Sequence, residues 1–291
     1  MPSISQLVRG ALLAALLTAC RPAEQQHALV ISAIPDQDPE KLQRLYGKVS
    51  MYLSGALHVP VEYRPVTDYT ASVIAFKTGD LDLVWYGGLT GVQARLQVPG
   101  AHALAQRDID TAFHAVFITR QGSGIRSLAD LKGHTFTFGS EMSTSGRLMP
   151  QFYLGPAIGG MENLRGAPGF SGSHDKTIAL VTAGTYDAGA LNAQVWKSRI
   201  ADHTVDTTKV AVFYMTPAFH DYHWVLNPAA EQRFGAGFGD KVRAALLALD
   251  PSDPTQKEIL DLFGAHRFVE TADSNYIQIE RVARAIGAVA N

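Results

Sequence analysis

Gly79-Asp80-Leu81-Asp82-Leu83-Val84-Trp85-Tyr86-Gly87-Gly88 is the stretch on which the reading of the fold turns. A helix-stopping glycine is followed by a β-rich run, Leu81 to Tyr86, which itself ends in a glycine pair. Just upstream, Thr67-Asp68 form a cap for a helix over Tyr69 to Thr78. Further out, Ala28 to Ala33 and Val61 to Pro65 read as strands. Between them Leu42, Leu45, Val49, Tyr52, Leu53 and Leu57 recur at helical spacing behind Pro39, a residue tolerated at a helix start. Strands alternating with helices predict an α/β fold with largely parallel sheets.

The same alternation resumes near Ala112. Phe113 to Thr119, Thr135 to Gly139, Tyr186 to Leu191 and Val210 to Met215 read as strands. Ser127 to Gly133 is a short capped helix, another starts at Arg147, and Thr177 to Ala183 is helical. The remainder has helices near 240–249, 255–263 and 275–289 and few strands, and is expected to pack back on the first unit. With 291 residues, the chain is near the size at which one core stops growing, so two lobes are expected, 28–111 plus 217–291 and 112–216.

Charge and cysteine usage narrow the function. Twenty-five Lys and Arg against 27 Asp and Glu leave a formal charge of -2, without the cationic excess that a nucleic-acid partner requires. The single cysteine, Cys20, excludes an intrachain disulfide and a thiolate metal cluster. Arg9, the apolar run Ala11 to Leu17 and then Leu17-Thr18-Ala19-Cys20 resemble a bacterial lipoprotein signal and its cleavage box. Residues 1–19 are therefore expected to be a signal peptide, Cys20 the lipidated mature N-terminus, and 20–27 a polar tether outside the cytoplasmic membrane.

Chemistry-bearing residues gather in a few loops. Gly139-Ser140-Glu141-Met142-Ser143-Thr144-Ser145-Gly146 joins a strand to a helix, where free N–H groups and the positive helix end meet three consecutive hydroxyls. Ser143, Thr144 and Ser145 serve there either as an anion cradle or as simple N-caps. His174, in Ser171-Gly172-Ser173-His174-Asp175, is a donor to an anion or a cap. Asp187 is a strand-end cap or an acceptor aimed into a cleft. Tyr69 and Tyr86 divide between core packing and ligand contact. His220-Asp221-Tyr222-His223 has no companion ligand cluster for a metal, and no cofactor is expected. Ser143, His174 and Asp187 contain the side chains of a hydrolytic triad, yet no Gly-x-Ser-x-Gly elbow occurs, so an enzyme is not expected.

Asp68-Tyr69, Gly79 to Gly88, Ser127 to Gly133, Ser143 to Gly146, Gly172 to Asp175 and Tyr186-Asp187-Ala188, in this order, resemble the periplasmic phosphonate-binding family, the substrate-binding components of ABC importers for phosphonate, phosphite and related oxyanions. Ser32 to Asp36, Val66 to Tyr69 and Ala188 to Asn192 are most similar to its selenate-binding subgroup. The resemblance implies a two-lobed, type II-like periplasmic binding protein with a ligand cleft between lobes. It also implies a small oxyanion ligand, and an importer permease and ATPase as partners. By position it makes Ser143, Thr144 and Ser145 the cradle, with Tyr69, His174 and Asp187 as further ligand contacts; Tyr86 is kept as a candidate ligand contact beside them. Where the family offers a tyrosine at the start of the second unit, this chain has Phe113-His114.

Overall fold

The computed structural model describes residues 27–290. The expected signal segment, Cys20 and all of the expected tether except His27 lie outside them. The chain first lays down β1 (Leu29–Ala33), α1 (Pro39–Leu57), β2 (Val61–Tyr63), α2 (Tyr69–Thr78), β3 (Leu83–Tyr86), α3 (Gly88–Gln97) and β4 (His102–Arg107). It then builds β5 (Ala115–Arg120), β6 (Phe136–Phe138), α4 (Met149–Ile158), β7 (Gly169–Phe170), α5 (His174–Thr182), β8 (Ala188–Asn192), α6 (Ala193–Ala201) and β9 (Val210–Met215). It returns with β10 (His223–Leu226), α7 (Pro228–Phe234), α8 (Phe238–Leu247), α9 (Pro254–Phe263), β11 (Phe268–Glu270) and α10 (Ile277–Ala285).

These strands form two sheets. One has six strands in the order β11-β4-β10-β3-β1-β2, the other five in the order β7-β6-β8-β5-β9. The fold is α/β, but the sheets are mixed rather than largely parallel. β10 inserts antiparallel between β3 and β4, and β5 runs antiparallel to both β8 and β9. The returning segment thus contributes strands as well as helices, because His223-Trp224-Val225-Leu226 is buried on both faces and lacks the alternation that marks a half-exposed strand. In the six-stranded sheet the core is aromatic. Trp85 and Trp224 sit 5.4 Å apart, with Phe263 edge-on to Trp85 at 5.1 Å. Such pairs add about 0.5–1.5 kcal/mol each beyond their burial.

Two crossings join the sheets, one after β4 and one before β10. Phe113 and Phe219 exchange N–H···O bonds of 2.8 and 2.9 Å, tying the crossings side by side. Beside them Arg107 holds buried Asp110 in a two-pronged ion pair of 2.6 and 2.7 Å and donates a third bond to the Phe263 carbonyl at 2.7 Å. With three of its five donors bonded, Arg107 is a rigid post at the junction, and its guanidinium also lies over the Trp85, Phe113 and Tyr222 rings.

Candidate functional site

Ser143 caps the turn that leads into α4, its Oγ accepting from the Gly146 N–H at 2.9 Å. That turn is wide: the Leu148 N–H reaches back to the Ser143 carbonyl at 2.9 Å, an i to i+5 closure that splays the amides at its mouth. Gly146 has to be glycine, since a Cβ there would lie 2.9 Å from Ser143 Oγ and 3.2 Å from both Gly139 Cα and His174 Cε1. Ser143, Thr144 and Ser145 are all at most 2% exposed.

Opposite this turn stands the N-terminus of α3, whose own cap residue is Gly87 and supplies no side chain. Its free amides are taken by groups from elsewhere. The Gly88 N–H donates to Asp221 Oδ1 at 2.9 Å, and the Leu89 N–H donates to Thr144 Oγ1 at 2.9 Å. Two helix starts, one from each sheet, therefore converge on one buried spot.

Three polar atoms at that spot are buried and have no hydrogen-bond partner among the described residues: Tyr69 Oη, Ser145 Oγ and Asp221 Oδ2. Native folds leave few such atoms, and each costs about 1–3 kcal/mol if left unsatisfied. Burial pushes the Asp221 carboxyl up to about 7, against the opposing effect of the Gly88 N–H. Burial likewise holds the Tyr69 phenol well above its ordinary value, so it is a donor throughout the physiological range.

Alongside runs a hydrogen-bonded chain of buried side chains. Tyr222 Oη donates to Asp36 Oδ2 at 2.7 Å, accepts from Asn192 Nδ2 at 3.0 Å and stands 3.3 Å from His174 Nε2. Because the Asn192 N–H donates to His174 Nδ1 at 3.4 Å, the ring hydrogen belongs on Nε2. Burial lowers the His174 pKa to about 4, so the ring is neutral at pH 7 and acts as a donor without charge. Asp36 is raised to about 6 by the same burial, with the Tyr222 hydroxyl pulling it back.

The structure brings Tyr69, Ser143, Thr144, Ser145 and His174 together and leaves two other residues of the sequence reading apart. Asp187 immediately precedes β8, at the end of the sheet away from the cradle. Its Oδ2 accepts from the Thr135 N–H and Oγ1 at 2.9 Å each and from Arg165 Nη2 at 2.8 Å. Burial would raise this carboxyl, but the Thr135 donors and Arg165 outweigh it and hold it below the ordinary value. Asp187 is a staple between β6 and β8, not an acceptor at the cradle, and no Ser143-His174-Asp187 triad is assembled. Tyr86 donates to the Ser72 carbonyl at 2.8 Å and packs edge-on against Phe76, locking α2 onto its strand.

Asp36, Asn192, Asp221 and Tyr222 are what sequence reasoning missed. Neither residue of the Phe113-His114 pair brings a free donor: Phe113 is buried, and His114 Nδ1 bonds the Thr216 carbonyl at 2.7 Å. The phenol beside Phe113 is that of Tyr222, whose ring meets it edge-on at 5.7 Å. The flanking histidines of His220-Asp221-Tyr222-His223 point elsewhere, toward Gln106 at 3.3 Å and Arg95 at 2.7 Å. Size does not mark the site. A groove of about 990 Å³ runs along the outside of α1, α5 and α6 past Arg44, Arg199 and Asp202, and lacks the orphaned buried groups of the cradle.

The family model for the periplasmic phosphonate substrate-binding protein of ABC transporters matches residues 31–276. The chain belongs to this family. It is 45% identical over 268 residues to the probable ABC transporter phosphite-binding protein PhnD1 of Prochlorococcus marinus, covering 90% of each chain. The solved structure of that PhnD1 in complex with methylphosphonate superposes with a TM-score of 0.87, covering 90% of this chain and 99% of the other. A binding component of a phosphonate ABC transporter from Pseudomonas aeruginosa, 18% identical, shares the fold with a TM-score of 0.79 over 91% and 90% of the two chains. The phosphonates-binding periplasmic protein of Escherichia coli is 28% identical over 149 residues, 49% of this chain and 44% of the other. Family membership makes the chain a periplasmic substrate-binding component of a phosphonate-type ABC importer, which takes a small-molecule ligand and works with a permease and an ATPase. No helix among the described residues is long and apolar enough to cross a membrane.

Proposed function

We propose that the chain captures a small tetrahedral phosphorus oxyanion that still carries a proton, phosphite or methylphosphonate in chemical type, between two lobes comprising 28–111 plus 217–291 and 112–216. The observation that carries this reading is the set of orphaned buried atoms at the two facing helix starts: the donors Tyr69 Oη and Ser145 Oγ and the acceptor Asp221 Oδ2. Two donors and an acceptor suit an anion that has both bare oxygens and an O–H. A carboxylate is acceptor-only, so it favours an anion that brings a hydrogen to share. Hydrogen phosphite and monoprotonated phosphonates do so near neutral pH.

Selenate and sulfate do not. A full dianion about 4 Å from an ionised carboxylate is repelled by roughly 8 kcal/mol at an effective dielectric of about 20, so it has to bind the protonated form of Asp221, whose share falls as pH rises above about 7. A shared proton instead contributes about 1.5–3 kcal/mol. Selenate capture, which the subgroup likeness favours, is therefore the weaker reading. The 45% identical relative is described as phosphite-binding and was solved with methylphosphonate, which supports the phosphorus class. Calorimetric titration with phosphite, methylphosphonate, phosphate, selenate and sulfate tests it. The expected result is micromolar or tighter binding of phosphite or methylphosphonate with the two dianions far weaker; preference for selenate would refute it.

Anchoring through Cys20 belongs to the same proposal. Its support is the cleavage box and the position of the only cysteine. Cys20→Ala is expected to release the protein from the membrane fraction with ligand affinity intact, and a wild-type chain already found free of lipid would contradict it.

A further inference from the structure

Of the run His220-Asp221-Tyr222-His223, the last residue is completely buried, and the oxyanion reading gives it no role. Its place follows from the sheet. β10 runs antiparallel to β3 with His223 opposite Tyr86, so Asp221, two residues earlier, falls opposite Gly88, two residues later, where α3 starts. The His223 ring lies against that same helix, and it can do so only because residue 91 is glycine: a Cβ there would collide with Nε2 and Cε1. Tyr276 stacks on the ring with centroids 3.8 Å apart.

Both ring nitrogens are engaged. Nε2 stands 2.7 Å from Arg95 Nη1, and Nδ1 stands 3.0 Å from the Asp221 carbonyl. A guanidinium can only donate, so Nε2 is the acceptor, and the single hydrogen of the neutral ring sits on Nδ1 and is donated to that carbonyl. Burial and the Arg95 charge hold the ring's pKa well below its ordinary value, so it stays neutral. Arg95 is itself held: its Nε pairs with Asp273 Oδ1 at 3.2 Å, and its guanidinium lies 5.0 Å from the Tyr276 centroid.

Asp221 is thus tied to one helix at two points. Its Oδ1 takes the Gly88 N–H at 2.9 Å at the start of α3, and its carbonyl is tied through His223 to Arg95, about two turns further on. The carboxylate is thereby restrained, and the oxygen left without a partner, Oδ2, lies with Tyr69 Oη and Ser145 Oγ at the cradle. Resting on the oxyanion reading above, we propose that His223 is a positioning residue for ligand capture: its Nδ1–H, oriented by Arg95, holds the Asp221 peptide so that Oδ2 meets the O–H of the ligand. Its effect passes entirely through Asp221. A buried histidine that only stabilised the fold would weaken binding equally whether or not residue 221 is a carboxylate.

Wild type can refute this without any variant. Nitrogen-15 spectra should show the His223 ring with its hydrogen on Nδ1 and neutral from about pH 5 to about pH 8. A hydrogen found on Nε2 overturns the proposal, because Nδ1 could then not donate. The second arm is a double-mutant cycle read by calorimetric titration with phosphite. His223→Gln keeps an acceptor for Arg95 but loses the Nδ1–H, and is expected to weaken binding by about tenfold. His223→Asn, whose amide nitrogen takes the place of Nδ1, should recover affinity to within about threefold of wild type. In an Asp221→Asn background the loss caused by His223→Gln should shrink to about twofold or less, since residues acting on one interaction are not additive. The full loss in both backgrounds, an unchanged affinity in a folded His223→Gln, or a His223→Asn no better than His223→Gln overturns the proposal. Should His223→Gln not fold, Arg95→Met takes its place in the cycle with the same expectation of non-additivity. Failure of the underlying reading looks different: Asp221→Asn alone would then leave phosphite and sulfate affinities as they are in wild type.

Discussion

Asp187 and Asp221 carry the same carboxyl group into opposite surroundings. Asp187 has three donors on one oxygen and is partly open to solvent, whereas Asp221 has one backbone donor and a second oxygen with no partner among the described residues. Asp187→Asn is therefore expected to leave ligand affinity within about twofold while lowering the melting temperature by a few degrees, since about 1 kcal/mol corresponds to roughly 2–4 °C in a chain of this size class. Parallel melts and titrations check this. A tenfold loss of affinity would return Asp187 to the site. A carboxylate in a small, apolar strand reads equally as a cap or as a cleft acceptor, but Asp187 stands at the amino end of β8, and ligands of α/β sheets gather at the carboxyl ends. Asp221 escaped for another reason: its neighbours His220 and His223 drew attention to a metal motif, and nothing local reveals that a strand return will bring its carboxyl to the start of α3. Asp36 ends the stretch Ser32 to Asp36, whose sequence says nothing of its partner Tyr222, 186 residues away.

Protonation of Asp221 also has a thermodynamic signature. Its carboxyl sits at about 7 in the folded chain against an ordinary 3.8. A carboxyl raised by folding contributes stability that is complete below its unfolded value and lost as pH rises through the folded one. In the absence of ligand, the melting temperature of wild type relative to Asp221→Asn should fall progressively from about pH 4 to about pH 8. His174 has the opposite sign, its pKa being lowered to about 4 from 6.5, so its contribution is lost as pH drops below 6.5. Present in both proteins, it cancels in the difference. A difference that is independent of pH would mean that Asp221 is not raised.

At the scale of elements, the turn Thr144–Leu148 splits three adjacent hydroxyls into separate duties. Ser143 caps, Thr144 bonds the start of α3 across the cleft, and Ser145 has no partner among the described residues. Ser143→Ala should lower stability by about 1 kcal/mol as a lost cap. Ser145→Ala should leave stability unchanged or slightly raised, and weaken ligand binding by roughly ten- to a hundredfold through loss of a bond to a charged group. Melts paired with titrations separate the two, and equal stability losses with intact affinity would reduce the turn to a structural cap. The strand-to-helix turn, its glycines and its hydroxyls were all legible from Gly139 to Gly146. The second helix start was not, since Gly87-Gly88 reads as a strand stop, and only the tertiary fold sets Thr144 and Asp221 over its amides. β10 was missed likewise, because four buried residues carry no period that distinguishes strand from helix.

For the whole molecule, both crossings run through one bonded junction, Phe113 with Phe219 and Arg107 with Asp110. Away from it the halves meet through polar bonds, Thr144 on α3, Asn192 on Tyr222, Asp175 accepting from the Asp38 N–H at 3.0 Å and the His174 N–H on the Asp36 carbonyl at 3.1 Å, and through Leu148 and Met149, which join the core of the six-stranded sheet. Both crossings are bonded at the junction, so opening is expected as a hinge about it. Ligand that bridges both halves shifts the population toward the compact form. Small-angle scattering should show a smaller radius of gyration with saturating phosphite than without, and an unchanged radius with ligand bound would exclude the hinge. The alternation of strands and helices and the return of the chain were readable from periodicity; the antiparallel insertions were not.

In the proposed function the buried carboxylate of Asp221 selects an oxyanion by the proton it brings. Calorimetric titration of wild type and Asp221→Asn, each with phosphite and with sulfate at pH 7, tests it most directly. Asparagine keeps the size and removes the charge, so phosphite affinity is expected to drop by about tenfold or more while sulfate binding improves, narrowing or inverting the preference. Phosphite affinity retained in Asp221→Asn, with sulfate still rejected as strongly as in wild type, would contradict it.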